Sequence, residues 1–249
     1  MKTFAVIPAY NEARTLPGIV RRTAQQCPVI VVDDGSVDGT VAALEGLPVT
    51  VLENGVNRGK AATLWRGFQY ALEQGAERVV TLDADGQHAP EDIPRLLARA
   101  DEEPGAIVIG ARVKERDQMP PLRRFGNGMA NFWIAWAAGQ PLSDSQSGFR
   151  VYPGELLRRL DINVERSSGF VFESEVLIEG AWQGVPSVME TVAACYPEGA
   201  RPSHYRPTAD TVAIIAMVAG RLLRRGMFPL GLYRSLRRPM PDGGTRDYG

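Results

Sequence analysis

Short apolar runs alternate with amphipathic stretches along residues 1–110 of the chain. Five of the runs are rich in β-branched residues, namely 3–7, 28–32, 49–52, 79–82 and 106–109. Runs of this length and composition are typical of buried strands. Because apolar residues at helical spacing separate them, the pattern predicts an α/β fold with a mostly parallel central sheet and helices on both faces.

Apolar residues at intervals of three or four predict the helices. The predicted helical segments contain Leu16, Ile19 and Val20; Val41, Leu44 and Leu47; Leu64, Phe68, Ala71 and Leu72; and Phe132, Trp133 and Trp136, with a further helix opened by Pro90. In sheets of this kind ligands bind outside the carboxyl ends of the strands. Acidic residues and Lys60 follow the strands of this chain, so we expect the functional site at that edge.

The run at 79–82 ends in two carboxylates, Asp83 and Asp85, which are separated by one small residue. Side chains two apart on an extended chain point the same way, so these acids are expected to converge. Two carboxylates repel each other unless a cation lies between them, and Mg²⁺ or Mn²⁺ prefers oxygen ligands. Gln87 adds a neutral oxygen, and Gly86 permits a tight turn that would admit a diphosphate. A solvated turn is the alternative interpretation.

Length and composition agree with one globular domain. The chain has 249 residues, of which 44% are hydrophobic and 23% charged, and this suffices for a substantial core. The glycine spacings of dinucleotide-binding and P-loop enzymes do not occur after the predicted strands, which disfavours both classes. Cys27 and Cys195 lie in apolar surroundings and are expected to be reduced, packed thiols of a cytosolic protein. The N-terminal apolar run lacks a cleavage site and is interpreted as a first strand.

The end of the chain is basic and partly apolar. Residues 200–249 carry nine Arg and three Asp, whereas the whole chain has a net charge of −1. This asymmetry indicates an anionic partner, and the apolar residues at 212–219 and 227–233 favour a membrane surface over nucleic acid. The first of these stretches is far shorter than the roughly 20 residues of a spanning helix. A core helix with a solvated tail is the alternative, and residues 239–249 are predicted to be disordered.

Five motifs follow one another along the chain. They are Pro-Ala-Tyr-Asn-Glu at 8–12, Asp-Asp-Gly-Ser-Val-Asp-Gly-Thr at 33–40, Asn-Arg-Gly-Lys at 57–60, Asp-Ala-Asp-Gly-Gln at 83–87 and Asp-Ser-Gln-Ser-Gly-Phe-Arg at 144–150. Over residues 1–175 the chain resembles the inverting family 2 glycosyltransferases of GT-A fold, above all the polyprenyl/dolichol-phosphate mannose synthase branch. The resemblance implies a GT-A catalytic domain at 1–200, an amphipathic, membrane-interfacial segment at 201–238 and a tail at 239–249.

The same resemblance implies a metal-assisted transfer of a hexose, either mannose or glucose, from a GDP- or UDP-linked sugar. It assigns Asp83, Asp85 and Gln87 to a Mg²⁺ or Mn²⁺ ion. The residues that it places around the nucleotide are Pro8, Tyr10, Glu12, Asp33, Asp34, Lys60, Asp83 and Ala84. For Asp34 the alternative is a helix N-cap, and for Lys60 it is a solvated charge in the first turn of a helix.

The acceptor implied by the resemblance is a polyprenyl phosphate at the cytosolic face of the membrane. Because such an acceptor is already anionic, arginines that hold phosphates matter more than a base, and the candidates are Arg112, Arg124 and Arg150. A lipid or saccharide hydroxyl would instead need Asp144 as general base. The mannose synthases have a Ser-Lys pair where this chain has 203–206, so the acceptor stays open. A nucleotidyltransferase or a nucleotide-sugar sensor is the alternative of a different class.

Two features of the second half also leave alternatives open. Phe132, Trp133 and Trp136 are interpreted either as core residues or as a wall for an isoprenoid chain. Glu173 and Glu175 are two apart on a predicted helix and therefore lie on different faces. Glu173 is a candidate for orienting the sugar or the acceptor, and Glu175 is a candidate for a solvated position.

Overall fold

The structure of the chain, a computed structural model, describes most of the sequence. The described residues are 1–111, 121–142, 144–162, 164, 169–192 and 207–236, with the backbone alone at 121–123, 169, 170 and 207–211. Arg112, Cys195, the segment 203–206 and the tail 239–249 lie outside the described residues.

Within the described residues, seven strands form one sheet. They are β1 Thr3–Ala9, β2 Val29–Asp33, β3 Val49–Glu53, β4 Arg78–Thr81, β5 Ile107–Ala111, β6 Arg150–Pro153 and β7 Ser187–Thr191. The strand order is β3-β2-β1-β4-β6-β5-β7; β6 is antiparallel to both of its neighbours, and every other pair is parallel. The prediction of a mostly parallel sheet is thus confirmed, and the five predicted strands are all present with ends shifted by a residue or two.

The parallel strands bring their carboxyl ends to one edge of the sheet. Ala9 at the end of β1 lies opposite Asp33 at the end of β2. On the other side of β1, Val6 lies opposite Thr81, the last residue of β4. The loops that follow these three strands therefore begin side by side, which brings together the acidic motifs that are far apart in the sequence.

Helices cover both faces of the sheet. They are α1 Leu16–Thr23, α2 Lys60–Glu73, α3 Ile93–Glu102, α4 Pro121–Ala138, α5 Gly154–Arg159, α6 Gly169–Trp182, α7 Pro207–Arg224 and α8 Pro229–Ser235. On one face Val6 packs in the cluster that contains Leu64 of α2. On the other face Ile7 packs with Leu16 of α1 and with Cys27, and burial raises the pKa of this thiol to about 11. Successive side chains of β1 thus pack on opposite faces of the sheet, which confirms the prediction of helices on both faces.

The helix predicted around Val41, Leu44 and Leu47 is wrong. Only one 3₁₀ turn, Ala42–Leu44, forms there. Gly46 adopts φ = 76°, a left-handed conformation that ends the turn, and the residue before β3 is a proline, which cannot continue a helix. Apolar residues at intervals of three do not distinguish so short a turn from a helix.

The carboxyl-terminal helices pack against the domain. Ile214, Val218 and Leu222 of α7 are buried in the core cluster on one face of the sheet. Helix α8 contacts α4 closely, since a Cβ atom at Gly231 would lie 2.8 Å from the carbonyl oxygen of Trp136. In the part of the chain that the structure describes, no helix combines the length and the apolar character needed to span a membrane.

Candidate active site

The loops that follow β1 and β2 are tied to each other by hydrogen bonds. The N–H of Asn11 donates to the hydroxyl of Ser36 (2.8 Å), and the N–H of Val37 donates to the side-chain oxygen of Asn11 (2.9 Å). The N–H of Glu12 donates to the hydroxyl of Thr40 (2.9 Å). The other predicted nucleotide residues of this segment are Pro8, half-buried in β1, and Tyr10, which is 37% exposed. The two loops thus form one hydrogen-bonded framework.

Asp33 and Asp34 at the end of β2 are both buried and organise the loops around them. One oxygen of Asp33 accepts hydrogen bonds from two N–H groups of the following turn (3.0 and 3.1 Å). The carboxylate of Asp34 accepts from the N–H groups of Arg58 (2.8 Å) and Gly59 (2.9 Å), so it fixes the loop that leads into α2 and does not cap the segment directly after β2. The other oxygen of Asp33, Oδ1, is buried and accepts no hydrogen bond from the described residues.

The acidic motif lies in a turn and not on an extended strand. β4 ends at Thr81, and Gly86 turns the chain with φ = 78°. The N–H of Gln87 donates to Asp85 Oδ1 (2.9 Å). The expectation that Asp83 and Asp85 converge because side chains alternate along a strand is therefore based on the wrong backbone conformation. The two carboxylates nonetheless interact: burial most strongly, and next the charge of Asp83, raise the pKa of Asp85 above its ordinary value.

The loop after β1 contacts this acidic turn. The hydroxyl of Thr15 lies 2.8 Å from Glu12 Oε2 and 2.9 Å from the carbonyl oxygen of Ala84. After the larger effects of burial and Asp83, the charge of Glu12 also contributes to the raised pKa of Asp85. The structure thus places the acids that follow β1 and β4 in one site.

Lys60, the first residue of α2, is held between two carboxylates. Its Nζ lies 2.6 Å from Asp83 Oδ1 and 3.3 Å from Glu173 Oε2 of α6. The side chains of Lys60 and Asp83 are 23% and 27% exposed, whereas that of Glu173 is 4% exposed. Burial lowers the pKa of Lys60, but the two carboxylates outweigh burial and leave the pKa above its ordinary value. The alternative of a solvated charge in the first turn of α2 is therefore wrong.

Gly148 allows the carboxylate of Asp83 to occupy its position. A Cβ atom at Gly148 would lie 2.6 Å from Asp83 Oδ2. The carbonyl oxygen of Gly148 accepts a hydrogen bond from the hydroxyl of Thr81 (2.7 Å), which fixes the glycine relative to β4. Nε2 of the buried His88 lies 4.0 Å from the same Oδ2. Lys60, Gly148 and His88 thus lie around the carboxylate of Asp83, which stays partly exposed.

Arg150 is fully buried, and its donors are directed toward protein oxygens. Nε donates to the carbonyl oxygen of Ser147 (2.8 Å), and Nη2 donates to that of Ser145 (2.7 Å). Nη1 donates to the carbonyl oxygen of Glu173 (2.8 Å). In this arrangement Arg150 fastens the loop 144–149 to α6, and its guanidinium is not exposed to a phosphate ligand.

The other two predicted acceptor residues that the structure describes are Asp144 and Arg124. One lies in the loop 144–149, and the other lies on α4, which is hydrogen-bonded to this loop. Asp144 begins the loop and is half-buried. Arg124 is exposed in the first turn of α4. Asn131 of α4 accepts hydrogen bonds from the N–H (3.0 Å) and the hydroxyl (2.6 Å) of Ser145, so helix and loop are directly connected.

The structure shows where the aromatic residues of α4 and the acids of α6 lie. The rings of Trp133 and Trp136 stack at 5.3 Å and pack against the core, while Phe132 is 37% exposed. Packing against the core is therefore confirmed for the two tryptophans, and a wall for an isoprenoid chain stays a prediction. Glu175 is only 14% exposed and pairs with Arg221 at 3.2 Å, so its predicted solvated position is wrong.

Comparison with known proteins identifies the family. The family model described as glycosyl transferase family 2 matches residues 4–161, more than half of the chain. This chain belongs to that family. It is 34% identical over 197 residues to the polyprenol monophosphomannose synthase of Mycolicibacterium smegmatis, covering 74% of this chain and 72% of that protein. It is 32% identical over 195 residues to the undecaprenyl-phosphate mannosyltransferase of Micrococcus luteus, and this match covers 74% of this chain and 79% of that protein.

A solved structure shares the fold of this family 2 glycosyltransferase. The glucosyl-3-phosphoglycerate synthase of Mycobacterium tuberculosis, in complex with Mn²⁺, UDP-glucose and phosphoglyceric acid, matches with a TM-score of 0.62 at 21% identity. The match covers 90% of this chain and 79% of that one. The GT-A fold implied by the sequence motifs is thereby confirmed.

The acidic turn of this glycosyltransferase has the donor chemistry of a hard divalent cation. Asp83 and Asp85 offer carboxylate oxygens and Gln87 offers a neutral one, and a cation would offset the burial and the repulsion by Asp83, which together raise the pKa of Asp85. Among the described residues, no three acidic, histidine or cysteine side chains converge on one point. Asp83, Asp85 and Gln87 are the side chains of the acidic turn that would hold such a cation.

Sequence reasoning found the acids of the site but missed how they are held. It gave Glu173 no connection to the metal motif, and it assigned Gly148 no role of its own. Both contact the acidic turn across long sequence separations, Glu173 through Lys60 and Gly148 directly. The one sequence signal for them is that Gly148 belongs to the last of the five ordered motifs.

Proposed function

We propose that this glycosyltransferase moves a hexose from a nucleotide diphosphate sugar to a polyprenyl phosphate, with inversion at the anomeric carbon and with the help of Mg²⁺ or Mn²⁺. One observation carries the proposal: the acidic turn at 83–87 lies at the carboxyl edge of the sheet in a chain that is 34% identical to a polyprenol monophosphomannose synthase. The names of both relatives favour mannose as the sugar. UDP-glucose, the donor bound in the synthase of the same fold, is the second donor to test.

The departing nucleoside diphosphate develops negative charge, and its neutralisation is the main demand on the site. Asp83, Asp85 and Gln87 would hold the cation, which supplies this neutralisation as a Lewis acid. Lys60 adds a positive charge at the same turn, with Nζ 2.6 Å from Asp83 Oδ1. The bound cation and Lys60 would thus both carry positive charge where the diphosphate would lie.

The loops after β1 and β2 are the proposed nucleotide site. Asp33 Oδ1, buried and without a donor among the described residues, is suited to an N–H or hydroxyl of the base or ribose. Glu12 offers a second carboxylate beside the acidic turn. Asp34 supports the nucleotide site indirectly, because it fixes the loop before α2. Pro8 lies near the end of β1, Tyr10 in the loop after it and Ala84 in the acidic turn, and we propose that all three line the nucleotide site.

A polyprenyl phosphate is an anionic nucleophile, so the acceptor needs cationic residues to offset its repulsion from the donor more than it needs a base. Arg124, exposed in the first turn of α4, and Arg112 are the residues that we propose for phosphate contact. Arg150 is instead proposed to position the loop 144–149, since its side chain is fully buried. Asp144 would act as general base only toward a hydroxyl acceptor.

The test is a transfer assay with purified protein, GDP-mannose or UDP-glucose, and a short polyprenyl phosphate or the corresponding polyprenol. Hexose transfer to the phosphate is expected, and a chelator should abolish it. Asp85→Asn keeps the shape of the side chain but removes its charge, and should lower the rate by at least roughly 10²-fold. Asp161→Asn, a change at an exposed acid of the same type, should have no effect.

Three results would contradict the proposal. Undiminished transfer by Asp85→Asn would exclude the assigned role of the acidic turn. Transfer to the free polyprenol that depends on Asp144 would instead identify a hydroxyl acceptor. Release of pyrophosphate from GTP or UTP in the presence of a sugar 1-phosphate, without hexose transfer from the nucleotide sugar, would place the chain among nucleotidyltransferases.

We further propose that α8 contacts the anionic inner face of the membrane, where a polyprenyl phosphate is found. Four exposed apolar side chains on α8 or next to its ends define the α8 apolar surface: Met227, Leu230, Tyr233 and Leu236, which are 44%, 51%, 58% and 65% exposed. Arg224 and Arg234 are exposed beside them. Apolar side chains edged by arginines are typical of helices that bind an anionic membrane surface.

A further inference from the structure

Lys60 connects the acidic turn to a buried residue that has no role in the proposed reaction. Its Nζ lies 2.6 Å from Asp83 Oδ1 at the accessible side of the site and 3.3 Å from Glu173 Oε2 at the buried side. An ammonium group has three donors, so one lysine can serve both carboxylates at once. The shorter distance shows that Asp83 is the stronger partner in this structure.

An ammonium group on Asp83 Oδ1 competes with a divalent cation for the same carboxylate. Positive charges that share one carboxylate at such distances repel each other. Uptake of a cation by Asp83 therefore requires Lys60 to weaken or give up its contact. The lysine has a flexible four-carbon stem, and a second carboxylate already lies 3.3 Å from its Nζ.

Glu173 is fixed in place by the core around it. Its carbonyl oxygen accepts a hydrogen bond from Arg150 Nη1 (2.8 Å). The ring of the neighbouring Phe172 packs against Trp65 and Phe68 at 6.4 and 6.2 Å between centroids. A carboxylate that is 4% exposed in such surroundings needs a cationic partner to remain charged, and Lys60 supplies that charge.

We propose that Glu173 is a positioning residue that receives Lys60 when Asp83 takes up a divalent cation. Lys60 then exchanges one carboxylate for another, so that Asp83 is released without leaving the lysine or Glu173 unpaired in a partly buried site. The inference rests on the proposed function, since it requires Asp83 to bind the cation.

The test measures Mn²⁺ affinity from the electron paramagnetic resonance signal of free Mn²⁺, without donor or acceptor. Glu173→Gln keeps the size of the side chain but removes its charge, so Lys60 is held more strongly by Asp83. We expect this variant to bind Mn²⁺ roughly tenfold more weakly than the wild type. The double variant Lys60→Met/Glu173→Gln removes the competing ammonium as well and should regain affinity to within about threefold of the wild type.

The matched control is Glu175→Gln, two residues along the same helix on a different face, where the carboxylate pairs with Arg221. It should leave Mn²⁺ affinity unchanged, and thermal unfolding of every variant shows whether it is folded. If Glu173→Gln does not fold, the single variant Lys60→Met tests the inference. It lacks the ammonium group that competes for Asp83, so it should bind Mn²⁺ at least as tightly as the wild type.

Normal Mn²⁺ affinity in folded Glu173→Gln would overturn the inference, and so would a double variant that binds as weakly as Glu173→Gln. Weaker binding by Lys60→Met would overturn it too. Each of these results leaves the proposed function intact. A wild-type protein that binds no Mn²⁺ would instead contradict the proposed function, and the inference with it.

Discussion

At the scale of single residues, the geometry of the acidic turn depends on a glycine more than sixty positions away. Gly148→Ala would place a methyl group 2.6 Å from Asp83 Oδ2, so the carboxylate must move. We expect Mn²⁺ affinity and metal-dependent transfer to fall by roughly tenfold or more, with a stability loss of about 1–3 kcal/mol from overpacking. Both are measured on the purified variant, by metal titration and by urea unfolding.

The control for this prediction is Gly220→Ala on α7, where an added Cβ atom meets nothing within 4 Å. It should change neither Mn²⁺ affinity nor transfer. Unaltered metal affinity in Gly148→Ala would show that the position of Asp83 is not set by the glycine.

At the scale of elements, one buried arginine joins β6, the loop 144–149 and α6. Arg150→Lys retains the charge, but a single ammonium group cannot reproduce the planar fork that reaches three carbonyl oxygens. We expect the free energy of unfolding to fall by about 3 kcal/mol, because buried acceptors lose their donors. Urea denaturation of the variant and the wild type measures the change.

Arg95→Lys is the comparison for this variant, since Arg95 is 54% exposed and its ion pairs are on the surface. Its stability should stay within about 0.5 kcal/mol of the wild type. If Arg150→Lys were as stable as the wild type but needed much more polyprenyl phosphate for half-maximal rate, Arg150 would bind phosphate directly and the positioning role would be wrong.

At the scale of the whole molecule, the α8 apolar surface and its arginines define the side that we expect to face lipid. Leu230→Glu combined with Tyr233→Glu introduces two charges into this surface, and should weaken binding to vesicles containing phosphatidylglycerol by roughly tenfold or more. Sedimentation with vesicles measures the bound fraction, which should also fall with added salt.

A single charge placed elsewhere tests whether the effect is local. Val37→Glu, at a side chain that is 88% exposed in the loop after β2, should leave vesicle binding unchanged. Two results would contradict the proposed membrane surface. One is that the double variant and the wild type bind vesicles equally well, and the other is that the wild type binds equally well to vesicles with and without phosphatidylglycerol.

The local pattern of the sequence was sufficient for much of the fold. Five strands and most of the helices between them follow from apolar periodicity, because burial on one face imposes that period on each element. The segment around Leu44 was predicted wrongly, since apolar residues at intervals of three occur in a single 3₁₀ turn as well as in a helix. The strands β6 and β7 were not predicted, and neither was the insertion of β6 antiparallel between β4 and β5.

By itself, the sequence determined that acids follow the strands of a parallel sheet, and hence the edge at which we propose a site for a cation and a diphosphate. Only the tertiary structure decided which groups surround those acids. Lys60 and Glu173 meet across 113 positions, and Arg150 is directed into the protein and not toward a ligand. The physical reason is that periodicity reports which side of an element is buried, whereas ion pairs and hydrogen bonds depend on how distant elements cross.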